Sequence, residues 1–205
     1  MRIAVAGGTF DPVHFGHIDP IVSQIEPFGW DRVLFVPANV QPFKQGKGSA
    51  SSWDRHSMLV LATEEDPRLE VSTVELERTG VSYAVDTLEI LGRQFGGARI
   101  DWVIGSDNVV RLLEWRDLDR IFELANFVVL RRGDGDLDLP GDLRSRLVEA
   151  DDLGEAGGIG QARNSLVSVS ATEIRRRRRE GISIEGMVPF RVERYIEHNG
   201  LYVSG

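Results

Sequence analysis

The chain has no cysteine in its 205 residues. That excludes a disulfide framework and any zinc site built on thiolates. It suits a reducing compartment, and a cytoplasmic location is expected. No apolar run approaches the eighteen or so residues that a membrane span needs, so no membrane partner is expected. The first residues enter an apolar run at once and lack the charged-then-apolar order of a signal peptide. Positive charge is also short: 24 Lys and Arg against 32 Asp and Glu leave a net charge of -8. An acidic total argues against nucleic-acid binding, which wants a basic face. A site for an anionic substrate must then gather its cations locally, from His14, His17, Lys44, Arg131 and the arginine run 175–179.

What is present describes a globular chain: 41% apolar and 27% charged residues, enough for one large domain with a real core. One domain over 1–205 is expected. Short apolar runs at 3–6, 33–36, 102–104 and 127–130, with a more mixed one at 69–74, have the length and branching of buried strands. Helical patterns occupy roughly 17–28, 53–64, 83–95 and 108–125. Strands alternating with helices predict an α/β fold with a parallel sheet covered on both faces. Pro20 is tolerated if its helix starts near His17, which leaves it in the first turn; deeper inside it costs ~3 kcal/mol. The segment 133–160, rich in glycine and acidic residues, reads as loops around one short helix near 143–150. Its glycines follow no strand, so they make no dinucleotide fingerprint. A helical portion follows, from Ser170 through Arg179 and again over 192–198.

The most informative stretch is Gly7-Gly8-Thr9-Phe10-Asp11-Pro12-Val13-His14-Phe15-Gly16-His17. Two glycines end a strand and let a backbone come close to a ligand. Two histidines follow, three apart, on one side of a helix start. Strand, glycine turn and helix N-terminus together suit a phosphate, and imidazoles add donors that become cations when protonated. Taken alone, the histidines could also be satisfied core or surface residues, or metal ligands with Asp11. A second constellation is Ser170-Ala171-Thr172-Glu173-Ile174-Arg175. Ser170 with Glu173 makes a capping box, and the same helix tip collects free amides, hydroxyls and a guanidinium. Adjacent helix positions are turned by about 100°, so five arginines cannot share one ligand. Arg175 faces the tip, with Arg178 or Arg179 on its side, and the rest form a solvated face.

The eleven-residue motif resembles that of the H-x-G-H nucleotidylyltransferases, and its wider form is similar to bacterial nicotinate-nucleotide adenylyltransferases. That resemblance implies a Rossmann-like, doubly wound parallel sheet with a small C-terminal helical portion. It implies AMP transfer from ATP to nicotinate mononucleotide, with Mg²⁺ accompanying ATP. It also implies that His14, His17, Lys44 and Arg175 are catalytic. Gly7, Gly8, Thr9, Phe10, Gly105, Asp107, Arg131, Ser170 and Thr172 are then expected at ATP. Ser82, Tyr83, Ala84, Trp115 and Arg116 are expected at the acceptor. No protein metal ligand is expected, and a homo-oligomer is left open.

Each assignment rests on a matching segment. Val36-Pro37-Ala38-Asn39-Val40-Gln41-Pro42-Phe43-Lys44 is similar to a family loop ending in His-Lys, with Phe43 where histidine is common. Gly80-Val81-Ser82-Tyr83-Ala84-Val85-Asp86-Thr87-Leu88 resembles G-x-S-Y-T-x-D-T-L, with Ala84 for threonine. Ser82 is expected to cap the helix there, its amides taking the nicotinate carboxylate. Ile104-Gly105-Ser106-Asp107 and Trp115-Arg116 match I-G-x-D and W-x, the indole being placed to stack on a cationic pyridine. Arg131-Arg132-Gly133 stands where the family has R-P-G, and Val169-Ser170-Ala171-Thr172 departs from I-S-S-T at Ala171. The alternatives are nicotinamide mononucleotide or phosphopantetheine as acceptor, or a nucleotide-binding regulator without turnover. The expected device is a cationic imidazole pair and a hydroxyl-bearing helix tip gripping opposite ends of one polyphosphate.

Overall fold

The structure is a computed structural model that describes residues 1–39, 50–133 and 137–203. Among them seven strands form one sheet: β1 (Arg2–Gly8), β2 (Arg32–Pro37), β3 (Leu69–Val71), β4 (Arg99–Gly105), β5 (Asn126–Leu130), β6 (Leu147–Val148) and β7 (Ile159–Gln161). Their order is β3-β2-β1-β4-β5-β7-β6, and the pairings are parallel. Side chains alternate across each strand. Ala4 and Ala6 of β1 pack against α1 (Phe15–Val22), α2 (Ile25–Phe28), α3 (Ser52–Thr63), α7 (Ala171–Arg179) and α8 (Phe190–His198). Ile3 and Val5 pack on the other face, against α4 (Ala84–Gln94), α5 (Ser106–Val109) and α6 (Leu118–Leu124). Two buried cores thus sandwich the sheet, as an α/β fold with continuous apolar strands requires.

The chain runs outward through β1, β2 and β3 and then crosses back to β4 on the other side of β1. In doubly wound sheets that reversal marks where ligands bind, beyond the carboxyl ends of the strands on either side of it, here β1 and β4. Gly8 and Gly105 lie at those two ends.

Helix boundaries depart from the sequence expectation in three places. The helix expected over 17–28 starts at Phe15 and splits at Ser23 and Gln24. Pro27 explains the break, because in a continuous helix its ring would meet the carbonyl of Ser23. Restarting at Ile25 puts Pro27 in a first turn, and Gly29, at φ 61°, ends α2 in the left-handed region. The early start leaves Pro20 as the sixth helical residue, not in the first turn. The pattern over 108–125 becomes α5, a 3₁₀ turn (Leu112–Glu114) and α6. Trp115 leaves the helical path there and lays its ring edge-on to Trp102 and Phe127.

The third departure is 133–160. Instead of one helix near 143–150 it holds two 3₁₀ turns (Gly141–Arg146 and Ala150–Asp152), and it contributes β6 and the start of β7. A Cβ on Gly158 or Gly160 would sit 2.8 or 2.7 Å from the side chain of Leu153. These glycines allow Leu153 to close over β7.

At the opposite end of the sheet, Asp101 is fully buried and takes Arg2 Nε at 2.5 Å, Trp30 Nε1 at 2.7 Å and Asn126 Nδ2 at 3.1 Å. Its carboxylate joins β1, β4, β5 and the loop before β2. Replacing Asp101 by Ala takes the carboxylate from the half-buried Arg2 guanidinium and from the buried Trp30 and Asn126 donors. We expect that variant to lose about 3–5 kcal/mol, read as a lower midpoint in urea unfolding.

Candidate active site

The motif leaves β1 through a turn that the protein's own rings fill. A Cβ on Gly7 would lie 2.8 Å from the indole of Trp102, and one on Gly8 would lie 3.0 Å from the ring of Phe10. The open space read from these glycines as room for a ligand is therefore partly internal packing space. Phe10 sits at φ 51°, a left-handed conformation that costs a bulky residue on the order of 1–3 kcal/mol. The turn folds its ring over Gly8 and edge-on to His17, with centroids 5.1 Å apart.

Asp11 locks this turn. Its Oδ1 accepts the Tyr202 hydroxyl at 2.6 Å and the Ala50 amide at 3.0 Å, while its carbonyl accepts Arg175 Nη1 at 2.5 Å. Burial and the Asp11 carboxylate both push the Tyr202 phenol up, so it stays a proton donor. Buried Arg55 reaches from α3 to the carbonyls of Thr9 at 2.6 Å and Ala38 at 2.7 Å. Neither Arg55 nor Tyr202 is legible as a site residue from the sequence, because their partners lie in distant segments.

His14 caps α1 from an extended conformation, and its ring stacks on that of His17 with centroids 3.7 Å apart and a 30° tilt. His14 is 3% exposed, and its Nδ1 is buried without a hydrogen-bond partner among the described residues. Burial, assisted by the charge of Arg132, pushes His14 down to about 4. This corrects the expected cationic pair: near neutral pH His14 is an uncharged imidazole offering one N–H and one lone pair. Two amides expected to be free at this helix start are committed, Phe15 N–H to the Met187 carbonyl and His17 N–H to that of His14.

Gly16 brings the helix tip to the histidines. A Cβ there would lie 3.0 Å from His14 Nδ1 and 3.0 Å from the carbonyl of Val169, just before α7. The two phosphate-binding candidates, far apart in sequence, are therefore in contact. Ser170 caps α7, accepting the Glu173 amide at 3.2 Å. The other arm of the expected capping box is not made. Glu173 instead accepts Arg176 Nη2 at 2.7 Å and Arg177 Nε at 2.9 Å, which hold its carboxyl down at about 2. Arg176 also pairs with Glu180. Arg175 turns the other way, to Asp11 and, at 3.5 Å, to Thr172 Oγ1. The run thus divides as helix geometry requires.

Of the two arginines after β5, Arg131 has its backbone clamped by Asn164, amide to Oδ1 at 2.8 Å and carbonyl to Nδ2 at 3.2 Å. Arg132 points its side chain at the histidine motif, with Nη1 3.4 Å from the carbonyl of Gly16. Gly105 makes room for it, since a Cβ there would lie 2.8 Å from Arg132 Nε. Asp107 Oδ1 is 4.0 Å from the same nitrogen.

Of the residues expected at the acceptor, three lie close together. The Arg116 guanidinium lies over the Tyr83 ring at 4.8 Å, next to Trp115. Tyr83, not Ser82, is the N-cap of α4, and no side chain caps it. The Ser82 hydroxyl accepts the Asn39 amide at 3.3 Å, tying the loop after β2 to this helix. With Thr87, it also serves buried Glu75, whose carboxyl burial raises. Asp86 pairs with Arg78 at 2.7 Å, a structural role. Lys44, and Lys47 beside it in sequence, lie outside the described residues.

The cytidylyltransferase-like family model matches residues 5–177. The chain is 36% identical over 206 residues to the "Probable nicotinate-nucleotide adenylyltransferase" of Opitutus terrae, covering 98% of both chains. It is 39% identical over 211 residues to the protein of the same name from Chromohalobacter salexigens, covering 98% of this chain and 95% of the other. The chain belongs to the nicotinate-nucleotide adenylyltransferase family. A solved structure of Plasmodium falciparum nicotinic acid mononucleotide adenylyltransferase complexed with NaAD superposes with a TM-score of 0.74. At 16% identity, with 98% of this chain and 97% of the other covered, it speaks for the fold alone.

In this adenylyltransferase the burial of His14 has a measurable cost in acid. Its folded-state value of about 4 lies below the ordinary 6.5, so the unfolded chain binds the extra proton. Its contribution is complete above 6.5 and is lost as pH falls toward 4, by about 3 kcal/mol in all. We expect His14→Gln to flatten the melting-temperature profile over that window. Gly16→Ala should destabilise by about 1–3 kcal/mol, because ring and carbonyl on either side must retreat. Calorimetric melting of the variant checks it.

Proposed function

We propose that the chain moves AMP from ATP to nicotinate mononucleotide, giving deamido-NAD and pyrophosphate. The observation that carries this reading is the stacked His14–His17 pair, beside which Gly16 meets the Val169 carbonyl directly before the Ser170–Arg175 helix tip. A phosphate oxygen of the acceptor forms a bond to the α-phosphorus of ATP. The bond from that phosphorus to the β-bridging oxygen breaks, and its electron pair leaves with pyrophosphate. A phosphomonoester is largely dianionic near neutrality, so no general base or protein nucleophile is required. The chain must bring two anions together and stabilise charge arriving on the leaving group.

In this reading His14 and His17 face the transferring phosphate, His14 as a neutral donor. Thr9 and the Gly8–Phe10 backbone help hold it, beside Gly7. The hydroxyls of Ser170 and Thr172, the α7 amides that precede Glu173, and Arg175 hold the leaving phosphates. Gly105, Asp107 and Arg131 border the nucleotide, and Lys44 adds a point charge. Tyr83, Ala84, Trp115 and Arg116 receive the pyridine, with Ser82 fixing the loop beside them. Among the described residues no group of three or more His, Cys, Asp or Glu is placed to hold a metal ion. Mg²⁺ would arrive with ATP and supply charge neutralisation on its phosphates. No described helix is long and apolar enough to cross a membrane, and ATP chemistry suits the cytoplasm.

Pyrophosphate release from ATP with nicotinate mononucleotide, its amide and phosphopantetheine in parallel tests the assignment. We expect the acid to react fastest. Preference for the amide would follow from Ala84, which lacks the family threonine's hydroxyl. Nucleotide binding without release under any acceptor would make the chain a regulator. His17→Ala should lower kcat by ~10²–10³, and near-full turnover by that variant would remove His17 from the mechanism.

A further inference from the structure

Arg132 stands where the family pattern has proline, so nothing in the shared motif accounts for it. Its surroundings are built to hold it. Its backbone amide donates to Ser106 Oγ at 3.0 Å, and Gly105 leaves the space that its Nε and Cγ occupy. Its Nη1 reaches the carbonyl of Gly16. That carbonyl is available for a specific reason: its helical donor would be the amide of residue 20, and Pro20 has none. The misplaced proline therefore creates the acceptor that hangs Arg132 beside the histidines.

The charge so placed is poorly compensated. Asp107 is 4.0 Å away and its side chain is 64% exposed, a weak partner. One hydrogen bond to Gly16 leaves most of the five guanidinium N–H donors for other use. The side chain is 37% exposed, so part of the guanidinium is reachable from solvent. A guanidinium fork matches phosphate oxygens in a bidentate fashion. We propose that Arg132 is a phosphate ligand particular to this chain, suspended from Gly16 and contacting the polyphosphate beside His14 and His17. It supplies there the fixed positive charge that the buried imidazole does not carry. The proposal rests on reading the His14–His17 crevice as a polyphosphate site.

The test separates the two claims. Arg132→Gln keeps an unbranched polar side chain, too short to reach the Gly16 carbonyl, and removes the charge and the fork. Calorimetric titration with inorganic pyrophosphate reads binding without turnover. We expect Arg132→Gln and Arg132→Ala each to weaken it about 10–100-fold, with melting temperature changed little, and Arg132→Lys to recover part. The KM for ATP should rise in step. Pro20→Ala restores a competing amide and should weaken binding less than the Arg132 variants do. Unchanged pyrophosphate affinity in either folded neutral variant overturns the proposal. So does a loss confined to melting temperature, which would make Arg132 a strut between α1 and β5. Turnover of the wild-type protein with nicotinate mononucleotide, run alongside, reports on the reaction independently of Arg132.

Discussion

The site depends on one buried residue, Asp11. Through three bonds it ties the turn after β1 to the start of α3, to α7 and to the last described residues of the chain. None of these segments is near another in sequence, so each contact closes a long loop, whose entropy must be offset by packing. Asp11 is buried and shielded from solvent, and there such bonds are strong and a missing partner is costly. Arg55 adds a second brace by joining the ends of β1 and β2 through their carbonyls. The histidine turn is consequently a rigid object, and the strained Phe10 within it persists because its neighbours over-determine it. Rigidity is what the chemistry asks for, since positioning is the main contribution a protein makes to such a transfer.

The electrostatics resolve the apparent conflict between an acidic chain and an anionic substrate. Several of the arginines are committed to carboxylates. Arg176 and Arg177 are spent on Glu173, and Arg68 on Asp66 and Glu26. Fixed charge is left at the crevice by Arg175, whose own carbonyl partner is uncharged, and by Arg132. Beside them His14 contributes a neutral donor. A positive charge on a ring 3.7 Å away would only add to the burial that keeps His14 uncharged. A guanidinium does not titrate near neutrality, so the charge at the site stays constant where imidazolium would come and go.

Much of this was legible in the sequence, and the failures share a cause. The strands of β1, β2, β4 and β5 show as short apolar runs, because both faces are buried and the pattern is local. The reaction class shows in the histidine motif. What escaped depends on partners distant in sequence. β6 and β7 form from a glycine-rich, acidic stretch whose few apolar residues matter only once Leu153 covers Gly158 and Gly160. Ser82 reads locally as a helix cap, yet its hydroxyl is taken by Asn39 and Glu75 from other segments. Glu173 fits a capping box, but two arginines within one turn outbid a single backbone amide. The charge state of His14 is a property of burial, which no motif encodes.

Pro20 shows how a local violation can carry meaning. Taken alone it is a defect: a missing amide and a carbonyl without its donor inside an eight-residue helix. An unsatisfied carbonyl in a partly buried place costs free energy unless something donates to it. The donor that arrives, Arg132, comes from beyond β5 and brings a positive charge with it. Gly16, between the two histidines, is held from three sides: His14 and the Val169 carbonyl crowd its missing Cβ, and Arg132 takes its oxygen. A helix with an ordinary residue at position 20 would satisfy that oxygen internally and give no anchor at this point. The proline therefore sets where the cation stands, and an irregularity that lowers helix stability fixes the charge geometry of the crevice.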